Sequence, residues 1–348
     1  IVQASKIPSK KYSYDCIMSQ DTTQLNCFEQ IVSPYIDTMF TKPGSSIIMT
    51  YGQTCSGKTH TILGDMPVFT SNTDTISPDE LPEGCGLVPR AIATIFDEIT
   101  NQNKINEENG IPVKYGVSMT MIEMMDSNTR NLLVANPPTI KTLELTTSLP
   151  SMRQPVKTLR EAVNNIITAS HRRETASTHQ NAVSSRTHAA ISLHIDEYTT
   201  NPVTKNVTQC TTSNLHFFDL AGSEKYSTEN EHRGRGTQIN TTLSQFQRMI
   251  TDKCQGRSNS CRESSLTFVF NMFFETMNNV TISNQNNTTN NNTLSNSGNN
   301  GILVTPPRPT QLTFIGCINL ELDNLATTRS TLDYTSQIKA VKQNNSLQ

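Results

Sequence analysis

Ten residues constrain this chain more than any others: Tyr51-Gly52-Gln53-Thr54-Cys55-Ser56-Gly57-Lys58-Thr59-His60. They fit G-x-x-x-x-G-K-[ST] at every defined position and follow the apolar run Ile47-Ile48-Met49, the strand-then-loop order that a phosphate-binding loop requires. Glycines at 52 and 57 let the backbone wrap closely, so that successive N–H groups and the start of the next helix point at phosphate oxygens. Lys58 brings a mobile positive charge to the outer phosphates, and the Thr59 hydroxyl is placed to ligate Mg²⁺. A Gly-rich turn before a helix also arises by chance, so the rest of the chain has to decide.

A chain of 348 residues can bury a full core as one large α/β domain or two small ones. A net charge of −2 gives no global field for nucleic acid, so an acidic partner must meet a local basic patch. No apolar stretch approaches the ~18 residues of a membrane span, and no secretory signal opens the chain. Eight cysteines are scattered without a C-x-x-C pair. These features predict a soluble, intracellular, reduced protein with no nucleic-acid and no membrane partner. Cys254 and Cys261 lack the partner pair or histidines that zinc needs.

Alternation around Tyr12, Tyr14 and Cys16 predicts a short strand. Phe28, Ile31, Val32, Tyr35, Ile36 and Met39 recur at helical spacing before Pro43-Gly44. A polar loop spans Gly64 to Gly86, and a helix follows with Ile92, Ile95, Phe96 and Ile99 on one face. Val113 to Met121 alternates as a strand, and Leu159 to Ser170 reads as a helix. Strands end at Ile195 and Asp219. Residues 278 to 300 are dominated by Asn, Thr and Ser and cannot bury enough apolar area to offset ordering, which predicts a disordered insertion reaching to 309. Leu312 to Ile318 resumes as a strand and Ala326 to Val341 as a last helix, so one layered α/β domain is expected over residues 1–341.

Two further motifs complete the pattern. Asn181-Ala182-Val183-Ser184-Ser185-Arg186-Thr187-His188 precedes a strand, and Asp219-Leu220-Ala221-Gly222-Ser223-Glu224 follows the apolar Leu215-His216-Phe217-Phe218. The second supplies a carboxylate near Mg²⁺ and a glycine whose amide can sense a terminal phosphate. In this order the three motifs strongly resemble the kinesin motor domain, and the resemblance covers nearly the whole chain. It implies a phosphate-loop α/β fold with a central, mostly parallel sheet of about eight strands flanked by helices on both faces. The family's first strand, with its R-x-R-P element, has no match before Tyr12. Either that strand is missing from this sequence or part of the base pocket is lost.

The resemblance also implies roles. Gly52 to Lys58 would bind ATP or ADP, with His60 near the base and Thr59 and Ser185 on Mg²⁺, Asp219 acting there through water. Ser184 would lie near the attacking water, Gly222 would donate to the γ-phosphate, and Asn240 would hold a second water. Arg186 and Glu224 would pair, Glu224 also serving the proton path. Microtubules would be met by Lys253, Arg257, Arg262 and Arg248, with Arg233 and Arg235 in support. Residues 342–348 would start the neck linker, and self-association would reside in stalk sequences outside this chain. The implied function is a microtubule-stimulated ATPase motor in the cytoplasm, on the cytoskeleton of the spindle. The long loop after Asp65 and Glu229-Asn230 resemble the tetrameric spindle kinesins.

The track side departs from the family. Thr241, Ser265 and Phe268 stand where basic residues are frequent, which weakens attraction to acidic tubulin unless the arginines compensate. The alternative is a kinesin-like adaptor that hydrolyses little. Deleting residues 281–300 is expected to leave the melting temperature nearly unchanged, because little apolar area is at stake; a large drop in a thermal melt would show that the insertion packs.

Overall fold

The computed structural model describes residues 10–69, 74, 76–175, 187–204, 206–224, 233–255, 257, 262–275, 308–319 and 325–345. Strand β1 (Gly44–Tyr51), which leads into the phosphate loop, is buried at every position. A strand buried on both faces must be apolar or internally satisfied throughout, and β1 places Ile47, Ile48 and Met49 in its middle. It lies between β7 (Val207–Asp219) and β8 (Arg308–Gly316), parallel to both. Beyond β7 come β6 (His188–Thr200) and β2 (Val113–Met125), each antiparallel to its neighbour. Short strands β3 (Asn128–Asn131), β4 (Thr139–Lys141) and β5 (Gln154–Val156) complete an eight-stranded sheet of order β4-β3-β2-β6-β7-β1-β8, with β5 on β2.

The sheet is therefore mixed, which corrects the mostly parallel arrangement expected: among the described residues only the β7-β1 and β1-β8 pairs are parallel. Orientation is set by connections. The few residues between β6 and β7 allow only an antiparallel return, whereas alternation within a strand carries no direction.

Helices cover both faces. Against one lie α1 (Gln24–Ile31), α2 (Ser33–Met39), α4 (Leu87–Glu108) and α6 (Leu159–Thr175), packed on Ile48, Ile191, Leu193 and Phe217. Against the other lie α5 (Leu145–Met152), α7 (Arg233–Cys254), α8 (Ser265–Glu275) and α9 (Leu325–Asn345), packed on Ile47, Met49, Ala190 and Phe218. The short α3 (Lys58–Ile62) follows the phosphate loop. Alternate residues of each strand thus serve separate cores, as the pleat dictates. Among the described residues no helix is long and apolar enough to cross a membrane.

Four local expectations change. The helix read through Val32 is two helices, because Pro34 has no N–H to donate and its ring clashes with a preceding carbonyl. Residues 10–18 form no strand. Their alternation reflects a helix-facing side instead: Tyr12 donates to Asp333 at 2.6 Å and Tyr14 to the Leu332 carbonyl at 3.0 Å, both on α9, while Lys10 pairs with Asp333. Helix α9 also continues to Asn345, past the Val341 expected. Strand β8 begins at Arg308 and ends at Gly316, earlier than the Leu312 to Ile318 expected and inside the insertion expected to reach 309; residues 278–307 lie outside the described residues.

A polar layer runs through the second core. His216 Nδ1 bonds Ser192 Oγ at 2.7 Å, and its ring stacks on Phe273 with centroids 4.1 Å apart. His194 Nδ1 bonds Asn214 at 2.6 Å. Burial lowers the pKa of His194 to about 4 and that of His188 to about 3, and holds His216 well below its ordinary value of 6.5. All three are neutral in the fold, whereas the unfolded chain takes up protons near pH 6.5. Their stabilisation is complete above that pH and is lost as pH falls towards 4. We expect the unfolding free energy from urea titrations to fall between about pH 7 and about pH 5, by up to about 1.4 kcal/mol per pH unit for each histidine, and less steeply in His194→Gln. The same slope in parent and variant would exclude this origin.

Candidate functional site

The C-terminal ends of β1, β7 and β8 meet at one place, the usual location of a ligand site in an open α/β sheet. β1 ends at Tyr51 and passes into the phosphate loop; β7 ends at Asp219; β8 passes into Cys317, whose N–H donates to the Tyr51 carbonyl at 2.7 Å. The approach is close enough to demand glycine at 52, since a Cβ there would lie 2.1 Å from the Cys317 carbonyl oxygen. Gly57 takes φ +95° just before α3, a conformation open to glycine and strained for other residues. Cys55 also lies in the left-handed region, at φ 62°, without that freedom.

A cleft of about 340 Å³ is lined by Thr54, Cys55, Gly57, Lys58, Thr59, His60 and Leu220. Lys58 is 8 % exposed, and its ammonium donates to the Gln53 carbonyl at 2.6 Å. Burial lowers its pKa, while the nearby Asp219 and Glu224 carboxylates pull it back up. The ammonium is held at the loop, ready to be drawn to an anion that would replace the carbonyl. The His60 side chain is exposed, and its carbonyl accepts from Gln24 at 2.7 Å.

Asp219 is the junction of the site. Its Oδ2 accepts from Thr59 Oγ1 at 3.0 Å and from Arg173 at 2.8 Å. Its Oδ1 is buried and has no hydrogen-bond partner among the described residues. An orphaned carboxylate oxygen beside the Thr59 hydroxyl is the donor set a hydrated Mg²⁺ needs, so these residues fit that ion. No group of three or more His, Cys, Asp or Glu side chains among the described residues offers an all-protein metal cage.

Glu224 crosses Gly222 and clasps the phosphate loop: Thr54 N–H donates to Oε2 at 2.8 Å and the Thr54 hydroxyl donates to Oε1. Ser223 N–H donates to the Gly52 carbonyl at 3.1 Å. A Cβ on Gly222 would lie 2.4 Å from both Glu224 Oε2 and Thr54 Oγ1, so only glycine allows this clasp.

Behind the site lies a buried chain that periodicity does not reveal. Arg173 also donates to the Thr187 carbonyl at 2.7 Å, the Thr187 hydroxyl donates to Glu123 at 2.8 Å, and Glu123 pairs with Arg130. His188 Nδ1 accepts from Ala221 N–H at 3.0 Å. Thr187 and His188 belong to a motif already read from the sequence, whereas Glu123 and Arg130 show there only as charges within the runs that form β2 and β3.

Asn240 lies on α7 beside Thr241, Ser244, Gln245 and Arg248, which line a separate concavity, and not among the residues lining the phosphate-loop cleft. Ser184, Ser185 and Arg186 lie outside the described residues, as do the side chains of Arg233 and Arg235. On the face of α7 and α8 the basic residues are paired: Arg248 with Glu263, Lys253 with Glu275 at 3.1 Å and Arg257 with Asp252 at 2.7 Å. Arg262 is exposed.

Residues 1–296 match the family model described as the kinesin motor domain. The chain is 28% identical over 286 residues to the kinesin-like protein cut7 of Schizosaccharomyces pombe, covering 76% of this chain and 25% of that one. It is 29% identical to the kinesin-like protein KIN-5C of Nicotiana tabacum (71% of this chain, 25% of the relative). It is 28% identical to bimC of Emericella nidulans (75% and 21%). The chain thus spans a quarter or less of the length of these relatives. Among solved structures, Drosophila NOD, in a docked complex with bovine tubulin, superposes with a TM-score of 0.62 at 19% identity, over 95% of this chain and 86% of that one.

Breaking the junction should show in stability. Arg173→Met leaves a buried charge with one donor fewer and is expected to cost about 3–5 kcal/mol, while Cys55→Gly removes backbone strain and should be neutral or gain about 1 kcal/mol. Urea denaturation measures both; an unchanged midpoint in Arg173→Met would mean that Asp219 does not depend on the arginine.

Proposed function

The chain belongs to the kinesin motor domain family, and on that premise we propose that it is a microtubule-stimulated ATP hydrolase that converts loss of the terminal phosphate into a change of grip on the microtubule. The observation that carries this reading is the clasp: the segment Asp219 to Glu224 is bonded to the phosphate loop at both ends, at Thr59 and at Thr54. A phosphate entering the loop competes with Glu224 for the Thr54 N–H, so occupancy and the position of Glu224 are linked through one donor.

Gly52 to Lys58 bind the phosphates, and the nearly buried Lys58 ammonium offsets their charge. Thr59 and Ser185 would hold Mg²⁺, with Asp219 acting through bound water. When bound, that ion neutralises charge on the outer phosphates. Gly222 presents its amide to the terminal phosphate, Ser184 and Asn240 orient water, and Glu224, paired with Arg186 once released from Thr54, takes up the proton of the attacking water. These assignments follow the family motifs position by position. Catalysis is positioning plus charge stabilisation, with no covalent intermediate.

The paired cations on α7 and α8 favour a second reading, an adaptor with weak turnover. Exposed pairs of this kind are worth little, however, and exchange readily for an acidic partner. The similarity to spindle kinesins such as cut7 and bimC supports a place on spindle microtubules within a longer, self-associating protein.

Turnover should rise by orders of magnitude on adding microtubules, and Glu224→Ala should keep nucleotide binding while hydrolysis falls about 10²-fold or more. A steady-state assay with and without polymer checks both. A flat response would leave the adaptor, and parent-like turnover in Glu224→Ala would remove the residue from the proton path.

A further inference from the structure

We propose that Tyr51 is a positioning residue that ties the phosphate loop to α7 and α9, so that its hydroxyl and ring carry the state of the loop to both helices. The inference rests on the motor reading above and names the atoms that would serve it.

Tyr51 is 3 % exposed and is the last residue before Gly52. Its hydroxyl accepts from Gln247 Nε2 on α7 at 2.6 Å, and the Ser223 N–H donates to the carbonyl of the next residue, Gly52, at 3.1 Å. Ser223 stands between Gly222 and Glu224, so the phosphate-sensing segment grips the chain at Gly52 while the Tyr51 hydroxyl beside it holds α7. The ring lies against Tyr334 of α9, with centroids 4.8 Å apart, and against Phe314 of β8 at 5.9 Å. Its carbonyl is held by Cys317, and Gly52 is seated against the same residue. There is no slack on either side.

The physical consequence is a transmitted displacement. If Ser223 moves with Gly222 towards a terminal phosphate, its N–H leaves the Gly52 carbonyl and the backbone at Tyr51-Gly52 shifts. The buried Tyr51 hydroxyl keeps its bond to Gln247 and carries that shift to α7. If Ser223 returns, the backbone and α7 are set back. Because an aromatic ring is stiff and close-packed, the same displacement reaches Tyr334 and α9. The device needs two discrete arrangements of one bond, Ser223 to Gly52, which is the kind of element that can couple distant sites.

Tyr51→Phe removes the hydroxyl and keeps the ring, Gln247→Leu removes the partner amide on α7, and the double variant removes both. Co-sedimentation with microtubules, using a non-hydrolysable ATP analogue and then ADP, gives the ratio of affinities in each protein. Each single variant should lower that ratio about fivefold or more, the low end of ordinary coupling between sites, and the double variant should lower it no further. Nucleotide affinity in Gln247→Leu should stay within about twofold of the parent, which separates coupling from damage to the cleft. A parent-like ratio in both single variants, or fully additive losses, overturns the proposal. If Tyr51→Phe fails to fold, Gln247→Leu decides alone.

A parent protein whose microtubule affinity ignores nucleotide refutes the motor reading instead. The link is then read without polymer, as a nucleotide-dependent difference in amide hydrogen exchange over residues 240–254 of α7. Loss of that difference in Gln247→Leu supports the proposal, and its persistence overturns it.

Discussion

Asp219 ends β7 almost out of contact with water, and a charge in such a place is tolerable only when its neighbours are arranged around it. Thr59 and Arg173 share one oxygen and leave the other open. The rest of the site depends on this arrangement. Thr59 fixes the start of α3, and with it the direction in which the phosphate loop opens. Arg173 fixes the end of α6 and passes through Thr187 to Glu123 and Arg130. Removing any member would leave a buried polar group without its partner, so the chain of bonds holds three elements to one geometry.

The mixed sheet explains why the site lies where it does. Parallel pairing is confined to β7, β1 and β8, and these three strands all end at the phosphate loop. Their loops crowd together there, which accounts for the glycine at 52 and for the hold of Cys317 on Tyr51. The antiparallel half, β6 with β2 and its short partners, broadens the platform on which α5 and α8 rest. A sheet built in this way separates a crowded, chemically equipped corner from a plainer flank, and the kinesin family uses the corner for nucleotide.

On the far side of the second core, the charges of α7 and α8 balance one another in pairs at the surface. Such pairs contribute little stability but keep several cations from standing free. In the proposed motor, attraction to an acidic track would depend on exchanging partners, an arrangement that responds more to geometry than to net charge. This makes the connection between cleft and α7 the important quantity, and Tyr51 stands in the middle of it.

Much of this was legible in the chain itself. A phosphate loop is a run of adjacent residues whose spacing reflects the size of a phosphate, so Gly52 to Thr59 could be assigned a task before any fold was known. The same holds for Asp219 to Glu224, where carboxylate, glycine and carboxylate occupy one short turn, and for Ile92, Ile95 and Ile99, whose period reports a buried helix face. The break at Pro34 was missed, because apolar spacing read as one helix what the structure divides into α1 and α2. Other features depended on residues far apart in sequence. The direction of β6, the use of Tyr12 and Tyr14 against α9, the pairing of Arg173 with Asp219 and the clasp of Glu224 on Thr54 join residues up to 321 positions apart. Local patterns are set by neighbours along the backbone, whereas these contacts exist only after the sheet has brought distant segments together, which is why the sequence determined the chemistry of the site and only the tertiary structure decided its partners.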